Sequence, residues 1–229
     1  MRRGESSGMS LTDEAYRRLR AEIVSVGLAP GAEVSEARLV NEFALSTAAV
    51  RGALARLRAE GLVDAVPRRG HVVSAITLRD VDEVFQMRLL LEPEAAALAA
   101  VRIDERTLES LRDQGKHDYD PASREGVAGF LAANREFHVG VAEASGNGRL
   151  AAVITRLLGE AERATHLALA AGAGERGLRL HHEHDDLVDA LAGRDQVMAR
   201  WHMTTALESF RGELTEILRS SEQIMTVAL

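Results

Sequence analysis

Ser46-Thr47-Ala48-Ala49-Val50-Arg51-Gly52-Ala53-Leu54-Ala55-Arg56-Leu57-Arg58-Ala59-Glu60-Gly61-Leu62-Val63 is the stretch that decides how the chain is read. Ser46 is an N-cap residue ahead of a helical run from Thr47 to Glu60, and Gly61 is placed to end it. Val50, Ala53, Leu54 and Leu57 recur at spacings of three and four, so one face of this helix is apolar and packs inward. The other face carries Thr47, Ala48, Arg51 and, two turns on, Arg58. Past Gly61 the period changes. Leu62 to Val66 and His71 to Ala75 are short β-prone runs, with Pro67-Arg68-Arg69-Gly70 between them as a hairpin tip.

Upstream, Leu11 to Val26 reads as a helix, with Thr12 as its cap, Asp13 and Glu14 in its first turn, and Tyr16, Leu19 and Ile23 on one face. Leu28-Ala29-Pro30-Gly31 stops it with a turn. Ser35 caps a shorter helix, Glu36 to Phe43, with Leu39, Val40 and Phe43 inward. Three helices and then a hairpin predict a winged helix-turn-helix over residues 10–76, whose third helix fits a DNA major groove. Residues Ser46, Thr47, Ala48 and Arg51 are then the candidate groove contacts, with Arg51 foremost. The tip residues Arg68, Arg69, Gly70 and His71 are the second candidate set, suited to phosphates or the minor groove. An exposed arginine or a basic turn is ordinary by itself; the two together, in this order of elements, point to double-stranded DNA.

From Thr77 onward the pattern is helical, with helices expected at about 78–101, 104–116, 123–145, 147–171, 177–192 and 195–219. The short breaks make neighbours antiparallel, so residues 77–222 form an all-helical bundle and the chain is mainly α. Apolar residues make up 46% of the sequence but aromatics only 3%, so the core is built from Ala, Leu and Val. With no cysteine there is no disulfide, thiolate metal site or cysteine nucleophile. The net charge of −7 is uneven: 11 Arg face 9 acidic residues in 1–76, while the rest is strongly acidic. A slightly basic module joined to an acidic body suits a protein that sets one end against an anionic polymer. No run approaches the ~18 apolar residues of a membrane span. Residues 1–9 lack the apolar region of a signal peptide and read as a disordered tail, so the expected location is the cytoplasm.

The motifs now become specific. Leu28-Ala29-Pro30-Gly31, Val34-Ser35-Glu36 and Leu39 resemble the opening of the winged-helix domain of GntR-family transcription regulators. Val50-Arg51, Ala53-Leu54, Leu57 and Gly61-Leu62-Val63 resemble its recognition helix and exit, and Arg68-Arg69-Gly70 with Val73 resembles its wing. Two positions depart from the family pattern: Thr47 stands where the family usually has a base-reading arginine, and Ala44 where it usually has glycine. Residues 77–222 are similar to the FCD domain of the FadR-type subfamily, on Arg88 to Ala100, on Phe137-His138 with Ser145-Gly146-Asn147, and on Glu183-His184 with Leu187 and Ala190-Leu191.

The resemblance implies a homodimeric repressor whose helical domain takes a small organic-acid effector. It implies that Arg88 holds the effector's carboxylate, the competing reading being a plain ion pair with Glu92 one turn on. It also implies a divalent metal (Zn, Ni or Mn) in the bundle centre, with Asn134 and His138 clasping it from one helix face and His184 as a third ligand. The fourth ligand would fall at Ala206, which cannot serve; His202, one turn earlier, is the candidate substitute or cavity residue. Arg163, Thr165 and His166 are further candidates for the cavity wall. Two rival readings remain open: a DNA-binding protein with a degenerate effector pocket, and a metalloenzyme using His138, His184 and Glu183. Against the enzyme, the chain has no HExxH, nucleophile elbow or phosphate loop.

Overall fold

A computed structural model of the chain describes residues 10–67, 70–115, 124–170 and 180–220. They divide into two compact units, one within Met1–Ala75 and one within Ile76–Leu229.

The first unit begins with α1 (Leu11–Val24). Its cap is Ser10, whose side chain accepts from the Asp13 amide at 3.0 Å, and not Thr12 as the sequence suggested. The helix starts two residues earlier than a Thr12 cap would allow, and Thr12 instead turns its methyl toward Gly52. A Cβ at Gly52 would meet that methyl at 2.6 Å, so the bare glycine is what lets α1 lie against the third helix. Next comes β1 (Glu33–Val34), then α2 (Glu36–Phe43) and α3 (Thr47–Ala59). Ser35 and Ser46 cap these two helices as expected, accepting from Arg38 N and Ala49 N. Strands β2 (Val63–Val66) and β3 (Gly70–Val73) form the expected hairpin, with Val63 opposite Val73 and Val66 opposite Gly70. The sheet has a third strand that the sequence did not announce: β1 pairs with β3, giving the order β1-β3-β2. Leu19, Ile23, Leu39, Val50, Ala53, Leu54, Leu57, Val63 and Val73 close over one core. The apolar stripe of α3 is thereby consumed in packing, and its opposite face is left outward.

The described elements of the second unit are all helices: α4 (Leu78–Ala100), α5 (Glu105–Gly115), α6 (Arg124–Ala144), α7 (Gly148–Ala170), α8 (Leu180–Ala192) and α9 (Gln196–Ser220). Thr77 and Asp80 form a capping box that fixes the start of α4, which continues through a buried Pro93. Ala95, Ala96, Ala97, Ala99 and Ala100 are buried on α4, and such small side chains let neighbouring helices approach closely. Phe137, Leu187, Leu191, Met203 and Leu207 fill the space they leave. Helices α4 and α9 run antiparallel, cross-linked by Arg200–Glu94 at 2.9 Å and Arg211–Asp82 at 2.8 Å. Their outer surfaces expose Leu90 (67%), Val197 (71%) and Trp201 (55%). Among the described residues no helix is long and apolar enough to cross a membrane.

Candidate functional site

Two places carry more polar chemistry than packing requires. The first is the outer face of α3. Ser46, Thr47, Ala48, Arg51 and Arg58 are exposed along it. The Arg51 side chain is 68% exposed, and its Nε donates to Glu36 Oε2 on α2 at 2.7 Å. Arg56 is drawn away from this face: it pairs with Asp13 at 2.6 Å and lies 3.8 Å over the Tyr16 ring. Arg20 pairs with Glu60, and Arg38 with Glu42. Among the described residues Arg58 enters no ion pair, which leaves its charge available at the end of α3.

At the hairpin, Gly70 is exposed with φ +88°, and a Cβ there would come within 3.3 Å of the Val34 carbonyl. Arg68 and Arg69 lie outside the described residues. His71 is half-buried inside the sheet, opposite Val34 and Ala65, and its Nδ1 is buried with no hydrogen bond among the described residues. It belongs to the sheet's interior more than to its tip. Ala44, where the family pattern has glycine, ends α2 at φ 52°, ψ 41°, the left-handed region that glycine enters without a steric cost.

The second place is the interior of the helical unit. Arg88 and Glu92 sit one turn apart on α4, and both are buried. Arg88 Nε donates to Glu92 Oε1 at 2.5 Å, the i to i+4 ion pair that the sequence left as the competing reading. Helix α6 brings His138, whose Nδ1 lies 2.6 Å from Glu92 Oε2. Helix α8 brings His184, whose ring stacks on Phe137 with centroids 3.9 Å apart and sits edge-on to His138 at 5.5 Å. Burial pushes the Glu92 carboxyl up, but the charges of Arg88 and His138 and their hydrogen bonds overcome it and hold it at about 2. Glu92 is therefore an acceptor, and His138 Nδ1 is the donor that faces it.

The other predicted cavity residues are less concentrated. Arg163 on α7 is buried, and desolvation lowers it to about 10 against the pull of Asp80. Thr165 is buried, its hydroxyl donating to the Ala161 carbonyl of its own helix. His166 and Asn134 are half-buried. His202 lies against the exposed Trp201, with ring centroids 4.7 Å apart, and Ala206 is buried.

A metal can be tested against this donor set. A histidine ligand commonly gives its other ring N–H to a carboxylate, which is the arrangement of His138 on Glu92. His184 adds a second imidazole nearby. Zinc sites take three or four protein donors, however. Ala206 contributes none, and among the described residues no three His, Asp or Glu side chains gather around one point. The described His, Asp and Glu side chains alone do not make up such a site, and Asn134 would have to serve as the third donor beside His138 and His184.

Comparison with known proteins separates the two units in the same way. The model of bacterial regulatory proteins of the gntR family matches residues 11–73, and the FCD domain model matches residues 83–209, more than half of the chain. This chain is a GntR-family transcription regulator with an FCD domain. It is 26% identical to an uncharacterized HTH-type transcriptional regulator from an unstable DNA locus of Streptomyces ambofaciens, across 96% of this chain and 92% of that one. It is 27% identical to the Nta operon transcriptional regulator of Aminobacter aminovorans, across 85% and 93% of the two chains. Among solved structures it shares its fold with E. coli McbR/YncC, at a TM-score of 0.76 and 22% identity over 91% of this chain and 98% of that one. A GntR regulator from Rhodococcus sp. RHA1 superposes with a TM-score of 0.73, at 22% identity over 93% of this chain and all of that one. The regulator binds DNA and is not an enzyme, which removes the metalloenzyme reading.

Two polar residues of these sites escaped the sequence reading as functional groups. Glu92 was visible only as the i+4 partner of Arg88, and nothing in the sequence announced that it also holds His138, 46 residues away. Glu36 is 15 residues from Arg51, a separation with no helical or strand period.

Proposed function

We propose that this regulator binds a two-fold operator as a homodimer in the cytoplasm, and that a small organic acid entering its FCD unit alters that binding. The observation that carries the effector reading is the buried Arg88–Glu92–His138 centre. A buried ion pair is commonly no more stabilising than well-packed apolar side chains of the same size. Three polar groups at the heart of an alanine- and leucine-rich bundle therefore support a polar ligand there. In this reading Glu92 keeps Arg88 oriented, and the acid's carboxylate meets the guanidinium on the side that Glu92 leaves. The acid acts by binding one arrangement of the protein more tightly than another.

The DNA reading places α3 in the major groove, with Arg51 at the base edges and Gly70 allowing the hairpin to approach the backbone. Thr47 in place of the family's usual arginine supports an operator that departs from the ordinary family half-site. Selection from random duplexes tests this, and recovery of the ordinary half-site at ordinary affinity would refute it. A divalent metal enters as a weak guest of His138 and His184 with Asn134, since Ala206 supplies no fourth donor.

The deciding experiment is a thermal-shift screen against a panel of organic acids, with and without divalent metal, on wild type and Arg88→Gln. A carboxylate that raises the wild-type Tm and not that of the variant supports the reading. A panel with no effect, on protein that still binds its operator, supports a degenerate pocket instead.

A further inference from the structure

An exposed ion pair between two surface side chains contributes about 0–1 kcal/mol to stability, so the Arg51–Glu36 pair is not explained by what it adds to the fold. Its position is more informative. Arg51 is the cation at the centre of the outer face of α3, and Glu36 is the first residue of α2, fixed there by the Ser35 cap. The contact is made through Nε at 2.7 Å, the inner edge of the guanidinium. Held by Nε, the exposed Arg51 guanidinium makes no hydrogen bond through its two terminal nitrogens among the described residues. Those nitrogens are the half of the group that recognises a guanine edge bidentately. Glu36 is only partly exposed, its side chain at 33%, which limits how far its carboxylate can swing from Arg51.

We propose that Glu36 is a positioning and specificity residue for DNA reading. It orients Arg51 for a base edge and, as an anion on the contact face, it repels phosphates that approach out of register. Phosphate attraction supplies most of the sequence-independent affinity of a DNA-binding protein. A carboxylate beside the reading arginine lowers that component while leaving the aligned contact intact, so it widens the gap between operator and unrelated DNA. The other paired cations of the unit differ in place: Arg20 on α1 pairs with Glu60, Arg56 is turned onto Tyr16 and Asp13, and Arg38 pairs within its own helix.

The proposal rests on α3 being the groove-reading helix, and the test separates the two claims. With an operator selected from random duplexes, binding of the full chain to operator and to a scrambled duplex is measured by fluorescence anisotropy at two salt concentrations. The proteins are wild type, Glu36→Gln, Arg51→Ala and the double variant, with thermal melts confirming that each is folded. Arg51→Ala is expected to weaken operator binding more than scrambled binding. Glu36→Gln is expected to tighten scrambled binding and to lower the operator-to-scrambled ratio about tenfold, the scale of one bidentate base contact. In the Arg51→Ala background the Glu36→Gln change is expected to lower the ratio by clearly less, because only the repulsion of phosphates is left to lose. An Arg51→Ala protein that binds operator like wild type overturns the α3 reading and the proposal with it. A loss of operator binding in Arg51→Ala, with full discrimination kept in Glu36→Gln, overturns the proposal alone. So does a Glu36→Gln effect of equal size in both backgrounds.

Discussion

His138 Nδ1 and Glu92 Oε2 lie 2.6 Å apart inside the helical unit, and Glu92 is at the same time the partner of Arg88. One carboxylate thus satisfies two buried groups from two helices. Removing its charge leaves the buried Arg88 guanidinium uncompensated. Glu92→Gln is expected to destabilise the protein by about 3–5 kcal/mol, the range for breaking one side of a buried pair, as measured by denaturant unfolding. The pH dependence has a definite sign. The folded value of Glu92 is depressed below the ordinary 4.5, to about 2, so its contribution is complete above 4.5 and is lost as pH falls toward 2. Melts taken across that window should show the wild type losing stability more steeply than Glu92→Gln. Parallel curves would remove Glu92 as the cause.

Ala44 holds a left-handed conformation at the end of α2, which costs an L residue about 1–2 kcal/mol. Ala44→Gly relieves that strain and also makes the unfolded chain more flexible. The expected net is a gain of about 0.5–1 kcal/mol, read as a higher Tm of the DNA-binding unit. A drop in Tm would mean that the alanine methyl is a packing group.

A single recognition helix reads few base pairs, so selective binding calls for a second copy, and the apolar side chains on α4 and α9 are suited to meet one. Leu90 and Val197 are large and exposed. Leu90→Glu with Val197→Glu is expected to shift the mass seen by light scattering from dimer to monomer and to weaken operator binding at least tenfold. An unchanged mass would send the search for the interface elsewhere.

Metal analysis of protein purified without chelator is expected to find well under one divalent ion per chain, and less still after His138→Ala. One tightly held ion per chain would show that donors beyond His138 and His184 complete the site.

Much of this was readable beforehand. The helix limits came through because Ser35, Ser46 and Thr77 are cap residues set directly before periodic apolar runs. What the sequence hid was what depends on distance in space. Strand β1 is two residues long, too short to display an alternation, and exists because Val34 finds His71 on β3. Ser10 and Thr12 are equally good caps on paper; in the fold Ser10 accepts from Asp13 N while the Thr12 methyl faces Gly52 on another helix. Arg88 and Glu92 could be paired by counting residues, whereas His138 and the stacking of Phe137 on His184 required the bundle to close.

Trp201 is the sole indole of the chain, and it stands in the open on α9 with the His202 ring against it. Excitation near the red edge of protein absorbance therefore reports on one spot, undiluted by any other emitter. Whatever settles over that side of the helical unit, a second subunit included, should move the emission toward the blue, and it can be followed without a dye or a tag.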